Sequence, residues 1–288
     1  MIIVSIEIYV KGLVNKMGFL RVRDGIELFY KKDLSKEPKG VILINHGFAE
    51  HSGRYDYVAN VFNKGGYNVY RYDLRAHGKS KSELGYLESF NDFIKDADEM
   101  VDLIIDENKG LPIFMLGHSM GGLINALYGF KYKDKIKGQI FSGAALGTLP
   151  SAKGIKSNFL IMGNVLFKNS KIKNPIDDAL CSDRDVFQAY LDDTLVLKKA
   201  SLNFYVEFLI NSVKNFDEKA KDYSLPCFIT HGEEDRVVPK ELSLSFYDRI
   251  SSSDKEIKIY KNLYHEILNE KEKDQVLKDM IQWLERRI

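Results

Sequence analysis

An apolar run that ends in a serine flanked by glycines constrains this chain more than any other stretch. Residues 113–122 read Ile-Phe-Met-Leu-Gly-His-Ser-Met-Gly-Gly, and helical spacing follows through Leu123, Ala126, Leu127 and Phe130. The pattern predicts a strand, a sharp turn and a helix. In such a turn the serine is held in a strained backbone conformation that lifts its hydroxyl clear of the strand. Strand and helix then pass so closely that a Cβ two residues to either side would collide, a demand that Gly117 and Gly121 meet. The helix starting near Met120 points a backbone N–H and a positive dipole end at any oxygen bonded beside Ser119. Negative charge develops there when a hydroxyl attacks an ester.

The flanking sequence alternates strands and helices. Strands are expected at residues 41–45, 68–72, in the apolar run leading to Ser119 and at 138–142, with helices carrying Val58, Ala59 and Phe62, then Ile94, Ala97, Val101 and Ile104. Strands apolar on both faces and separated by helices indicate a mainly parallel sheet covered on both sides, an α/β class. Before them, residues 19–32 read as a hairpin around Asp24-Gly25, and residues 1–16 as either an extra edge strand or an unstructured extension. Residues 147–223 contain no convincing strand but show helical stretches at 158–167, 186–190 and 197–213. The expected organisation is a core over residues 1–146, a helical cap over 147–223 and the rest of the core over 224–288. In that last part strands fall at 227–230 and 256–260 and helices near 239–250 and around Val276, Leu277, Met280 and Leu284.

At 288 residues the chain can bury a large core. Its 42 Lys and Arg against 41 Asp and Glu leave a formal charge of +1, so no overall attraction to nucleic acid is expected. Cys181 and Cys227, the only cysteines, read as reduced thiols. Residues 1–10 are interrupted by Glu7 and lack a basic leader and a cleavage site, and no apolar run reaches the roughly 18–20 residues of a membrane span. A soluble, cytoplasmic protein is expected.

A serine hydroxyl is a weak nucleophile at neutral pH and needs a base, which in turn needs a group to fix its tautomer and stabilise its charge. In a sheet of this kind the order is serine, acid, histidine, with the last two on loops after later strands. Only His265 follows the last expected strand; His46, His51, His77, His118 and His231 precede it. The loop after residues 227–230 offers Glu233, Glu234 and Asp235. Asp235 has the longest reach, with Glu234 as the alternative. Besides the Met120 N–H, a second oxyanion donor is expected from Phe48, because Gly47 lets the backbone turn back over the strand end. His77 reads as a turn-stabilising residue. Neither cysteine lies in a motif and the histidines lack metal-ligand spacing, so no metal or cofactor is called for.

Five segments in order, HGFAEHSGRY, DLRAHGKS, GHSMGG, GEEDRVVP and YHEILNE, resemble those of the monoacylglycerol lipase and lysophospholipase group of α/β-hydrolases, and the likeness runs from about residue 19 to the C-terminus. The resemblance implies Ser119, Asp235 and His265 as catalytic residues and Phe48 and Met120 as oxyanion donors, and the expected function is a serine esterase that cleaves the acyl ester of a monoacylglycerol or lysophospholipid through an acyl-serine intermediate, with other small esters as the alternative. It also puts Glu50 and Arg54 near the alcohol end of the pocket, with Tyr190 facing it. From the residues alone, Glu50 and Arg54 read equally well as a buried ion pair that holds the loop. Two positions depart from the group's pattern: Ala76 stands where glycine is usual, and Thr194 where proline is common.

Phe159, Leu160, Ile161, Met162, Val165, Leu166 and Phe167 should cover something, either the core or an acyl channel, with an outer side that meets membranes or micelles. The rival readings are a peptidase of the same fold, against which no acidic cluster for a free amine is evident, and a non-catalytic ligand-binding relative.

Overall fold

The doubly apolar runs form the centre of a nine-stranded sheet with its helices on both faces. The computed structural model describes residues 4–10, 13–174 and 178–288. In chain order the sheet strands are β1 (Val4–Val10), β2 (Leu13–Arg21), β3 (Glu27–Leu34), β4 (Gly40–Asn45), β5 (Tyr67–Tyr72), β6 (Ile113–His118) and β7 (Gly138–Ser142). A separate pair, β8 (Lys171–Lys173) and β9 (Lys199–Ser201), precedes β10 (Cys227–Gly232) and β11 (Lys255–Tyr260). The spatial order is β1-β2-β3-β5-β4-β6-β7-β10-β11. From β5 to β11 all neighbours run parallel, while β1, β2 and β3 are antiparallel. The N-terminal segment therefore supplies an edge strand, and the Asp24-Gly25 turn closes a hairpin in which Gly25 takes φ +89°.

Every residue of β4, β5, β6, β7 and β10 is buried, which explains why these strands lack polar alternation. Helices α1 (Asp56–Lys64), α2 (Asn91–Glu107) and α3 (Met120–Tyr132) alternate with the early strands. Beyond β7 come α4 (Ile155–Phe167), α5 (Arg184–Asp192), α6 (Leu202–Val206), a π-helical turn Glu207–Asn211 and α7 (Ser212–Lys219). The chain ends with α8 (Lys240–Arg249) and α9 (Lys273–Glu285). One sheet face packs on α2, α3 and α8 and on Phe204, Phe208, Val213 and Phe216 of the inserted segment. The other packs on α1 and α9, with Trp283 wholly buried against Phe114 and Phe228. No helix among the described residues is long and apolar enough to cross a membrane.

Two expectations for the inserted segment need correction. It does contain strands, the antiparallel β8–β9 pair, whose three-residue length gives no periodic signal to read. And α4 covers little. None of its residues is buried, and Ile155, Phe159, Met162, Val165, Leu166 and Phe167 are 61–79% exposed. It rests on α6 along a narrow strip, with Leu160 against the core, Gly163 near Leu202 and Asn164 bonded to Asn203. Ile161 and Leu166 are 41% and 69% exposed.

The segment is nonetheless stitched to the core where the strand ends converge. Leu197 N–H donates to Ala49 O (2.8 Å), Ser201 N–H to Gly85 O (2.8 Å) and Glu266 N–H to Leu180 O (2.8 Å). Glu207 of the π-helical turn caps α2 by accepting the Phe90 N–H at 2.8 Å.

Candidate active site

Ser119 sits between β6 and α3 at φ +52°, ψ −116°, a region that L-residues avoid and that costs on the order of 1–3 kcal/mol. The strain is held from both sides: Ser119 N–H donates to Ser142 O at the end of β7, and Ser119 O accepts from Gly122 and Ala145 N–H, all at 3.0 Å. The close passage expected of the glycines is present. A Cβ on Gly117 would lie 2.4 Å from Gly121 O, and one on Gly121 only 2.1 Å from Asn45 O, so α3 starts directly on the end of β4.

The loop after β4 folds over the serine. A Cβ on Gly47 would sit 3.2 Å from Ser119 Cβ. Glu50 fixes this turn, with Oε1 accepting the Gly47 N–H at 2.6 Å and the Tyr55 hydroxyl at 2.8 Å. His77 accepts the next free amide, Ala49 N–H, at 3.2 Å, and His46 Nε2 accepts Leu74 N–H at 2.9 Å. The amide between those held by Glu50 and His77 belongs to Phe48. Neither it nor the Met120 N–H, an orphan of the first turn of α3, has a hydrogen-bond partner among the described residues.

His265 reaches the same sheet edge from the loop after β11. Its Nδ1 donates to Asp235 Oδ2 at 2.7 Å, and its ring lies 4.7 Å from that of His118, the residue before Ser119. A Cβ on Gly143, just past β7, would stand 3.2 Å from His265 Nδ1. Ser119 Oγ makes no hydrogen bond among the described residues. Among the loop acids it is Asp235 that reaches the imidazole; Glu234 is exposed. Asp235 Oδ1 accepts the Val237 and Val238 N–H groups, both at 2.8 Å, which turns the other oxygen toward His265.

The electrostatics follow from burial set against charge. Burial opposes the Asp235 charge, but His265, together with hydrogen bonds from His231 and His265, more than offsets it and holds the carboxyl well below its usual range. Burial also opposes a charged His265, yet the Asp235 carboxylate and its hydrogen bond, aided by Glu266 and Glu50, raise its pKa above 6.5. His118 is pushed the other way, to about 4, by burial and by the like charge of His265, so it lies neutral against it.

Arg54 is locked. Nη1 donates to Glu50 Oε2 at 2.8 Å and to Glu266 Oε1 at 2.7 Å, Nη2 to Glu266 Oε2 at 2.7 Å, and its guanidinium carbon stands 4.8 Å from the centre of the Tyr190 ring. Glu50, Arg54 and Tyr190 are thus brought together beside the His265 loop, with the charged groups spent largely on one another. The sequence reading passed over Glu266 and His231. Glu266 lies 212 residues from Arg54, beyond any spacing rule, although it directly follows the chosen histidine. A cleft of ≈ 710 Å³ between the start of α4 and α7, lined by Ala152, Leu209, Ile210 and Val213, does not reach Ser119. Among the described residues no group of three or more His, Cys, Asp or Glu is placed to hold a metal ion.

A family model described as serine aminopeptidase, S33, matches residues 36–272. A monoacylglycerol lipase of Mycolicibacterium smegmatis is 33% identical over 251 residues, which cover 86% of this chain and 89% of that protein. The chain belongs to this α/β-hydrolase family. A second relative in the family, a phospholipase of Bacillus subtilis, is 29% identical over 84% of this chain and 93% of its own. The crystal structure of a soluble variant of the Saccharomyces cerevisiae monoglyceride lipase superposes with a TM-score of 0.87 at 24% identity, covering 97% of both chains, and shares the α/β-hydrolase fold. Membership makes the chain a carboxylic ester hydrolase.

Proposed function

We propose that this hydrolase cleaves the acyl ester of a monoacylglycerol or lysophospholipid through an acyl-serine intermediate. His265 takes the proton from Ser119 as the hydroxyl attacks, Asp235 stabilises the imidazolium, and the Phe48 and Met120 N–H groups receive the oxyanion. His265 returns the proton to the departing alcohol, and water repeats the cycle on the acyl-enzyme. What supports the reading above all is the buried Asp235–His265 pair, whose imidazole packs on His118 next to the strained Ser119, together with two amides that have no partner among the described residues. Glu50, Arg54 and Tyr190 would border the alcohol end, and no metal or cofactor is required.

The relatives are named for monoacylglycerols and phospholipids, which favours a lipid ester. The exposed apolar face of α4 suits transient contact with a membrane or micelle surface, as interfacial helices make it. A cytoplasmic site of action accords with two buried free cysteines. The family description raises the peptidase reading, which needs a carboxylate for the substrate's free amine. Glu50 and Glu266 are both neutralised by Arg54, which weighs against it. The test compares monoolein, lysophosphatidylcholine and a proline naphthylamide on the parent and on Ser119→Ala. Turnover of the amide alone, or ester turnover that survives in the alanine variant, would refute the proposal.

A further inference from the structure

The carboxylate that orients His265 has a second imidazole on the same oxygen. His231, at the end of β10 and fully buried, brings Nε2 to 3.0 Å from Asp235 Oδ2, while His265 Nδ1 stands 2.7 Å from it. The tautomer of His231 follows from its neighbours. Nε2 faces only acceptors, Asp235 Oδ2 and Val238 O (2.9 Å), so it carries the hydrogen. Nδ1 lies 2.7 Å from the Ser243 hydroxyl on α8, which has no other hydrogen-bond partner among the described residues and so gives its proton there. Ser243, His231, Asp235 and His265 thus stand in one polar series running from α8 to the His265 imidazole, with the His231 Nε2–H lying between Val238 O and Asp235 Oδ2.

We propose that His231 is a positioning residue for the acid–base pair: pinned by Ser243 as the Nε2–H tautomer, it shares the Asp235 oxygen with His265, holds the carboxylate in plane and limits how firmly it binds the proton on His265. The proposal deepens the function above and rests on it. An oxygen that accepts two N–H groups offers less charge to each, so removing one donor strengthens the other's hold. The remaining titratable neighbours of His265 stay in place in such a variant: His118 at the end of β6, Glu50 and Arg54 on the loop after β4, and Glu266 on its own loop.

The experiment is a pH titration of ¹⁵N-histidine-labelled protein by NMR, following the His265 Nδ1–H resonance and the nitrogen shifts of His231. In the parent, His231 should be the Nε2–H tautomer at neutral pH; the Nδ1–H tautomer would overturn the proposal without any variant. His231→Leu should raise the His265 midpoint by about half a pH unit or more. His231→Gln, whose amide N–H can stand where Nε2–H stood, should bring it back. A folded His231→Leu protein with the parent midpoint, or a glutamine variant shifted as far as the leucine one, overturns it. If the leucine variant fails to fold, the parent tautomer and the glutamine midpoint still decide. The titration needs no turnover, so loss of the functional reading, seen as no Ser119-dependent hydrolysis of p-nitrophenyl butyrate by the parent, is a separate outcome.

Discussion

Replacing Arg54 by methionine tests what the buried charge cluster does. The guanidinium makes three charge-assisted bonds of 2.7–2.8 Å to two carboxylates, and the side chains of Arg54, Glu50 and Glu266 are only 10%, 4% and 6% exposed. Methionine keeps much of the packing on Tyr190 and deletes the charge, leaving two carboxylates facing each other away from water. Breaking a buried pair by removing one partner costs about 3–5 kcal/mol. At roughly 2–3 °C per kcal/mol for a chain of this size, that is a loss of about 6–15 °C in Tm. The pH dependence separates charge from packing. In the parent, burial would raise the Glu50 pKa, but Arg54 and then His118 and His46 hold it at about 2 against an ordinary 4.5. Its contribution is therefore complete above pH 4.5 and lost only as pH falls through about 2. In the variant, burial prevails and lifts the Glu50 pKa above 4.5, so the penalty is full at pH 8 and disappears below that value. Thermal unfolding followed by circular dichroism at pH 8, 6.5 and 5 should show a gap between parent and variant that narrows steadily with acid. A gap under 2 °C, or one that does not change with pH, would refute the electrostatic account.

Three further outcomes are expected. Because the Asp235 carboxylate raises the His265 pKa and the base must be neutral, kcat/KM should rise with pH to a plateau with its midpoint above 6.5; in Asp235→Asn that midpoint should fall and kcat should drop by about 10⁴, measured with a short-chain ester. Gly121→Ala would set a Cβ 2.1 Å from Asn45 O, with backbone on both sides, and should move the start of α3 off β4 by about 1 Å; losing the Met120 donor predicts a roughly hundred- to thousandfold lower kcat. Val165→Ser with Leu166→Ser, at positions 79% and 69% exposed, should change stability by no more than about 1 kcal/mol yet weaken co-sedimentation with phospholipid vesicles, while turnover of a soluble acetate ester stays the same.

The core strands could be read from sequence because burial on both faces leaves an unbroken apolar run, as at Ile42, Leu43 and Ile44, and the turn at Ser119 because its glycines answer a steric demand that operates over two residues. What escaped reading depends on partners far apart along the chain. Glu266 closes on Arg54 across the sheet edge, and His231 reads as a strand residue until α8 brings Ser243 to its ring. The strands β8 and β9 are too short to carry a period, and the apolar composition of α4 gives no sign that its residues face outward. Ala76, where the related sequences favour glycine, does adopt the backbone that glycine prefers, φ +65°, and keeps its methyl group buried.

The side chain of Phe48 carries a consequence for turnover. Its ring is wedged among Phe204, Tyr205 and Phe208 of the inserted segment, 5.1–5.9 Å from their centres, while its amide directly follows Gly47, which backs onto Ser119. One residue thus joins the roof of the site to the floor. On the proposed mechanism, in which that amide receives the oxyanion, a roof that swung outward to admit a bulky guest would draw the donor away, and bond cleavage would wait until the roof settled back. Loading and chemistry would then alternate, and a guest too large to let the aromatic wedge reseat would be held without being cut.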